Sequence, residues 1–167
     1  MEIKPVAVGV IGCGNISDTY FANARLFPAF EVVSCADVNH EAAQRRATAY
    51  SLADTTVDAM LADPSLDVIL NLTTPAAHLD ITRRALLAGK HVYSEKPLGT
   101  SLTEASAVVA LAGERGLVVG CAPDTFLLGA HQLARRIIDA GEIGEPVGGS
   151  AAVMDAGMES WHPNPAF

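Results

Sequence analysis

Two glycines flank a single residue in Gly12-Cys13-Gly14-Asn15-Ile16-Ser17, directly after the apolar run Val6-Ala7-Val8-Gly9-Val10-Ile11. Glycine at the first position permits a tight turn, and at the second it lets a bulky anion approach the backbone. If a helix opens at Ser17, the free N–H groups and partial positive charge of its N-terminus receive phosphate oxygens. The third small position holds Ser17, where the dinucleotide-binding fingerprint prefers Gly or Ala; this departure still allows close helix–strand packing. The next apolar run, Phe30 to Ala36, ends in Asp37, about 20 residues past the loop, where a carboxylate accepts hydrogen bonds from a ribose 2′-OH. Asp37 taken alone also suits a helix cap or a turn. A carboxylate there repels a 2′-phosphate, and Val38-Asn39-His40 supplies no arginine to neutralise one. Arg45 and Arg46 are expected a helix face away and solvated. The pattern therefore points to NAD, with NADP disfavoured.

Two further clusters follow. Thr73-Thr74-Pro75-Ala76-Ala77-His78 succeeds the run Val68 to Leu72, and Glu95-Lys96-Pro97 succeeds His91 to Ser94. Ligands of open α/β sheets bind outside the carboxyl ends of the strands, where both clusters would lie. Pro75 fits the first position of a helix and Thr74 its N-cap. His78, taken alone, fits a structural histidine as well as a binding one. Lys96 can donate a proton or a hydrogen bond to a substrate hydroxyl whose carbon exchanges hydride. An isolated Glu-Lys pair also reads as solvated surface.

The elements that must position these residues are legible as periodicity. Strand-like runs at Val6–Ile11, Phe30–Ala36, Val68–Leu72, His91–Ser94 and Leu117–Cys121 alternate with helical stretches. The helices are expected at Ser17–Leu26, Glu41–Tyr50 and Ala76–Ala88, the last closed by Gly89. Ser101-Leu102-Thr103-Glu104 has the form of a capping box and opens a fourth, running to about Arg115. Alternation of this kind predicts an α/β fold, a Rossmann doubly wound parallel sheet over residues 1–123. Residues 124–167 are expected to begin a second α/β domain that is incomplete here, with a helix over Gly129–Ala140 closed by Gly141 and a strand over Val147–Ala156. Trp161 to Phe167, with two prolines, suits neither a regular helix nor a central strand.

Composition excludes several functions. The 167 residues carry 11 basic and 19 acidic side chains, a net charge of −8, which leaves no electrostatic footprint for nucleic acid. No apolar run reaches the roughly 20 residues that span a bilayer, and Met1-Glu2-Ile3-Lys4-Pro5 does not open like a signal peptide. Cys13, Cys35 and Cys121 show no CxxC spacing, so neither a metal site nor a disulfide framework is expected, and the three read as small core residues. A cytoplasmic protein with no membrane and no nucleic-acid partner is expected.

Taken in order, GCGNIS, ADVN, NLTTPAAH and AGKHVYSEKPL resemble the Gfo/Idh/MocA family of nicotinamide-dependent oxidoreductases. The resemblance is close from residue 5 to about 125, and AGEIGEPVGGS looks like the entry to that family's second domain. It implies that Gly12, Gly14, Asn15 and Ile16 line the pyrophosphate and that Asp37 holds the adenosine ribose. It implies too that Thr73, Thr74, Pro75 and His78 lie along the cofactor, and that Glu95 and Lys96 face the nicotinamide, with Lys96 catalytic at the substrate hydroxyl. A cis peptide between Lys96 and Pro97 follows from the same resemblance. The implied function is NAD(P)-dependent hydride transfer to or from a sugar or cyclic polyol, by a homo-oligomer. The family's second domain supplies further active-site groups that have no counterpart here; His162 lies too early to match. The chain is accordingly expected to be the N-terminal half of such an enzyme, binding cofactor without turnover by itself. Two rivals remain at this level: a noncatalytic NAD-binding sensor or oligomer-partner module, and an S-adenosylmethionine methyltransferase, against which the EKP cluster counts. Asp37 yields a direct test. Calorimetry should give tighter binding of NAD(H) than of NADP(H), and Asp37→Ser should narrow the difference.

Overall fold

The computed structural model of the chain describes residues 4–154, 156 and 157. Contacts divide the chain into two compact units, Met1–Ala122 and Pro123–Phe167. In the first, β1 (Val6–Ile11), α1 (Ser17–Ala24), β2 (Phe30–Ala36), α2 (His40–Tyr50), β3 (Ala53–Asp54), α3 (Val57–Ala62), β4 (Val68–Asn71), α4 (Pro75–Leu87), β5 (His91–Ser94), α5 (Leu102–Glu114) and β6 (Val119–Cys121) follow one another. The strands form one sheet in the order β3-β2-β1-β4-β5-β6, every pair parallel. This is the doubly wound Rossmann arrangement.

β1 is apolar throughout because both of its faces are covered. Side chains alternate across a strand, and Val10 and Ile11 accordingly enter different cores. Val10 and Cys35 pack with Phe21 of α1 and Ala43 and Ala47 of α2. Ile11 and Ile69 pack with Met60 of α3, Leu86 of α4 and Val108 of α5. Polar side chains fix the starts of the helices. Asn39 accepts hydrogen bonds from the Glu41 and Ala42 N–H groups at α2, Thr56 accepts from Ala59 at α3, and Ser101 accepts from Glu104 at α5. Thr74 occupies the N-cap position of α4 with Pro75 behind it, but its hydroxyl makes no capping bond. Gly89 closes α4 in the left-handed region, φ 79°.

Three expectations need correction. β3 and α3 were not expected: a two-residue edge strand and a six-residue helix are too short for periodicity to register. α1 stops at Ala24, short of Leu26, in a turn where the Leu26 N–H bonds the Asn23 carbonyl. In the second unit, a 3₁₀ turn (Thr125–Leu127) leads into α6 (Gly129–Asp139), and Gly141 follows with φ 71°. The strand expected over Val147–Ala156 does not form among the described residues, where no second strand offers it hydrogen bonds. Trp161 to Phe167 lie outside the described residues.

The sheet's geometry turns on the exit of β1. Gly12 has φ 104°, and a Cβ there would lie 2.5 Å from the Leu72 carbonyl carbon and oxygen. Nothing lies within 4 Å of the equivalent position at Gly14. Gly12→Ala should therefore cost more than about 2 kcal/mol, through backbone strain and collision. Gly14→Ala should stay within about 1 kcal/mol. Urea unfolding of the two variants checks the contrast.

Candidate cofactor site

β1 and β4 are neighbours, yet the chain leaves β1 toward β2 and leaves β4 toward β5. The loops at their carboxyl ends diverge and open a crevice, the position where parallel sheets bind ligands. On one side is the turn from Gly12 to Ile16. Ser17, fully buried, donates its hydroxyl to the Gly14 carbonyl at 2.7 Å, so the residue that departs from the fingerprint ties the turn to the first turn of α1. Gly14, Asn15 and Ile16 are exposed, and the space beside Gly14 is open. This is a cradle with room for an anion against backbone N–H groups and a helix N-terminus.

Asp37 is bound into the same turn. Its Oδ2 accepts from the Cys13 N–H at 2.6 Å and its Oδ1 from the Asn39 N–H at 2.7 Å. It is half-buried, and each carboxylate oxygen keeps a further acceptor site. Arg46 corrects an expectation. Arg45 is exposed as anticipated, but the Arg46 side chain is only 26% exposed. Its guanidinium pairs with Asp18 and lies 3.4 Å from the Gly14 carbonyl oxygen.

On the other side, buried polar groups fix the loop after β4. The Asn71 amide donates to the His78 carbonyl at 3.0 Å and to the Thr82 hydroxyl at 3.3 Å, and its Oδ1 accepts the Thr73 hydroxyl at 2.7 Å. His78 is 1% exposed, with Nε2 2.9 Å from the Thr73 carbonyl and Nδ1 2.5 Å from the Pro97 carbonyl. It lies beneath the crevice and bridges its two loops. Thr73 and Pro75 are half-buried above it and Thr74 is exposed.

Glu95 is held from both ends. Oε1 accepts the Tyr20 hydroxyl at 2.7 Å and Oε2 accepts the Lys96 N–H at 2.9 Å. Lys96 is exposed, and the Lys96–Pro97 bond is cis, as the resemblance implies. Tyr20 and Asn71 were missed from sequence. Asn71 carried a signal, a polar residue closing an otherwise apolar strand; Tyr20 carried none, because its partner is distant in the chain. The thiols of Cys13 and Cys121 are held toward their neutral form. A hydrogen bond with Cys35 and burial push the Cys13 thiol well above its ordinary range, and burial followed by the Glu95 charge raises Cys121.

Comparison with known proteins identifies the family and agrees with the fold. The profile of the Gfo/Idh/MocA family, described as an oxidoreductase family with an NAD-binding Rossmann fold, matches residues 6–122. A 1,5-anhydro-D-fructose reductase from Ensifer adhaerens is 33% identical over 141 residues, 83% of this chain and 42% of that protein. KijD10, a 3-ketoreductase from Actinomadura kijaniata solved with NADP and TDP-benzene, is 32% identical, with a TM-score of 0.73 over 82% of this chain and 43% of that one. GenD2 from gentamicin A biosynthesis, solved with NAD, is 25% identical, with a TM-score of 0.78 over 84% and 40% of the two chains. The chain thus spans about two fifths of the length of the curated relatives it matches. The bridging histidine makes the clearest local prediction. His78→Ala removes the imidazole that lies against the Thr73 and Pro97 carbonyls and opens a cavity, and should cost about 2–4 kcal/mol in urea unfolding.

Proposed function

The chain belongs to the Gfo/Idh/MocA family of oxidoreductases, and from that premise we propose that it forms the dinucleotide-binding part of an NAD(P)-dependent dehydrogenase or reductase acting on a sugar or cyclic polyol. The observation that carries this reading is the open cradle at Gly14 with the Asp37 carboxylate anchored to the neighbouring Cys13 amide. An anion site and a hydroxyl acceptor then sit side by side on one turn, which is what the adenosine half of a dinucleotide requires. In this reading Gly12, Gly14, Asn15 and Ile16 border the pyrophosphate, and Asp37 accepts the ribose hydroxyls. Thr73, Thr74 and Pro75 continue the wall of the crevice, and His78 holds that wall from beneath.

When bound, the nicotinamide supplies the hydride donor or acceptor. Lys96, exposed on the opposite loop, donates a hydrogen bond to the substrate oxygen and holds or passes its proton. Glu95 positions Lys96 by taking its backbone N–H while Tyr20 fixes the other carboxylate oxygen. Asp37 favours NAD over NADP. A sugar or polyol substrate is supported by the names of the relatives, among them a scyllo-inositol 2-dehydrogenase (NAD(+)) from Bacillus subtilis, 35% identical over 88 residues. Homo-oligomeric assembly and a cytoplasmic setting belong to the same reading; among the described residues no helix is long and apolar enough to cross a membrane. Fluorescence titration with NADH tests the cofactor: binding should saturate, weaken in Asp37→Ala, and persist in Lys96→Ala. In the active protein Lys96→Ala should lower kcat about 10²-fold or more. A chain that binds no dinucleotide would remove the basis of this reading.

A further inference from the structure

Two acidic groups border the glycine turn, and only Asp37 has been given a purpose. The other is Asp18, in the first turn of α1. It pairs with the Arg46 guanidinium and accepts the Tyr50 hydroxyl at 2.7 Å. Arg46 is thereby drawn from α2 onto the turn, 3.4 Å from the Gly14 carbonyl oxygen. Asp37 meets the adjacent residue, taking the Cys13 N–H at 2.6 Å. Consecutive Cα atoms are about 3.8 Å apart, so a guanidinium and the proposed ribose-binding carboxylate flank neighbouring residues of one turn. A guanidinium is the side chain best suited to a phosphate, because it offers paired donors in a plane. Here those donors are already engaged by a carboxylate.

We propose that Asp18 is a specificity-determining residue for the dinucleotide: by occupying Arg46 it withholds from the adenosine end a guanidinium placed to receive a 2′-phosphate. The selection for a 2′-hydroxyl then has two components, repulsion by Asp37 and sequestration of Arg46 by Asp18. This inference rests on the reading of the crevice as a dinucleotide site. Asp18 touches no cofactor atom and acts through Arg46. Its charge near the N-terminus of α1 also opposes any incoming phosphate, but that effect is common to NAD and NADP. The ratio of the two affinities therefore isolates the 2′-phosphate.

The test measures dissociation constants of NADH and NADPH for the 167-residue chain by nicotinamide fluorescence, in wild type, Asp18→Asn, Arg46→Met and the double variant. Asparagine keeps the shape of Asp18 and an oxygen for the Tyr50 hydroxyl, while losing the charge that holds Arg46. Asp18→Asn should shift the affinity ratio toward NADPH by roughly three- to tenfold, the span expected for freeing a partly exposed ion pair to meet a phosphate. The shift should shrink as salt is raised. In the double variant the ratio should return to within about twofold of wild type, and Arg46→Met alone should leave it there, since Arg46 is already withheld. An unchanged ratio in Asp18→Asn with NADH binding intact overturns the inference and leaves the cofactor reading standing. A shift that survives in the double variant overturns it as well, because Arg46 would then be irrelevant. Should Asp18→Asn fail to fold, Arg46→Met decides: a selective loss of NADPH affinity there means Arg46 was never withheld. A wild-type chain that binds neither dinucleotide overturns the underlying reading and this inference together.

Discussion

At the exit of β1, Gly12 lies so close to the Leu72 carbonyl that no side chain fits between them. The strands on either side are carried past their ends by one further backbone hydrogen bond each. Gly12 donates to Ala36, Leu72 to Ile11, Glu95 to Asn71 and Ala122 to Ser94, at 2.8–2.9 Å. The first residue of each loop is thus part of the ladder, and the loops depart from fixed points. Because the chain diverges at β1 and β4, these fixed points enclose a crevice. A side chain at Gly12 would push β1 away from the loop after β4 and widen it.

Polar groups buried just below the crevice convert that backbone frame into a rigid wall. Asn71, His78, Thr82 and Ser94 are all buried. A buried polar group without a partner is costly, so each has effectively one arrangement. Asn71 spends its amide on the start of α4 and its carbonyl on Thr73; His78 then joins the Thr73 and Pro97 carbonyls. Two loops that are separate in sequence are held at one spacing by one imidazole.

The chain is strongly acidic, with a net charge of −8, yet its candidate ligand is an anion. Backbone geometry reconciles the two, since the glycine turn and the N-terminus of α1 present N–H groups without needing lysines. The nearby carboxylates are each engaged by donors. Asp37 takes two backbone N–H groups, Glu95 takes a phenol and a backbone N–H, and Asp18 takes a guanidinium and a phenol. Their charges are directed at specific partners rather than spread over the crevice.

The sequence by itself determined the class of fold and named candidates for the site, because both rest on local rules. Short continuous apolar runs and the helical stretches between them located the long strands and helices, Gly89 and Ser101 marked a helix end and a helix start, and glycine at 12 and 14 implied the turn between them. Short elements escaped, since two residues at Ala53–Asp54 and six at Val57–Ala62 complete no pattern. The apolar stretch from Val147 had strand composition but no partner strand among the described residues, and a strand is a property of a pair. Tertiary structure alone decided which site residues touch. Tyr20 meets Glu95 across 75 positions and Arg46 meets Asp18 across 28. It also sank His78 below the wall it was expected to line, and brought onto the glycine turn an arginine expected in solvent. Periodicity reports which way a residue faces on its own element; which group waits on the neighbouring element depends on how the elements pack.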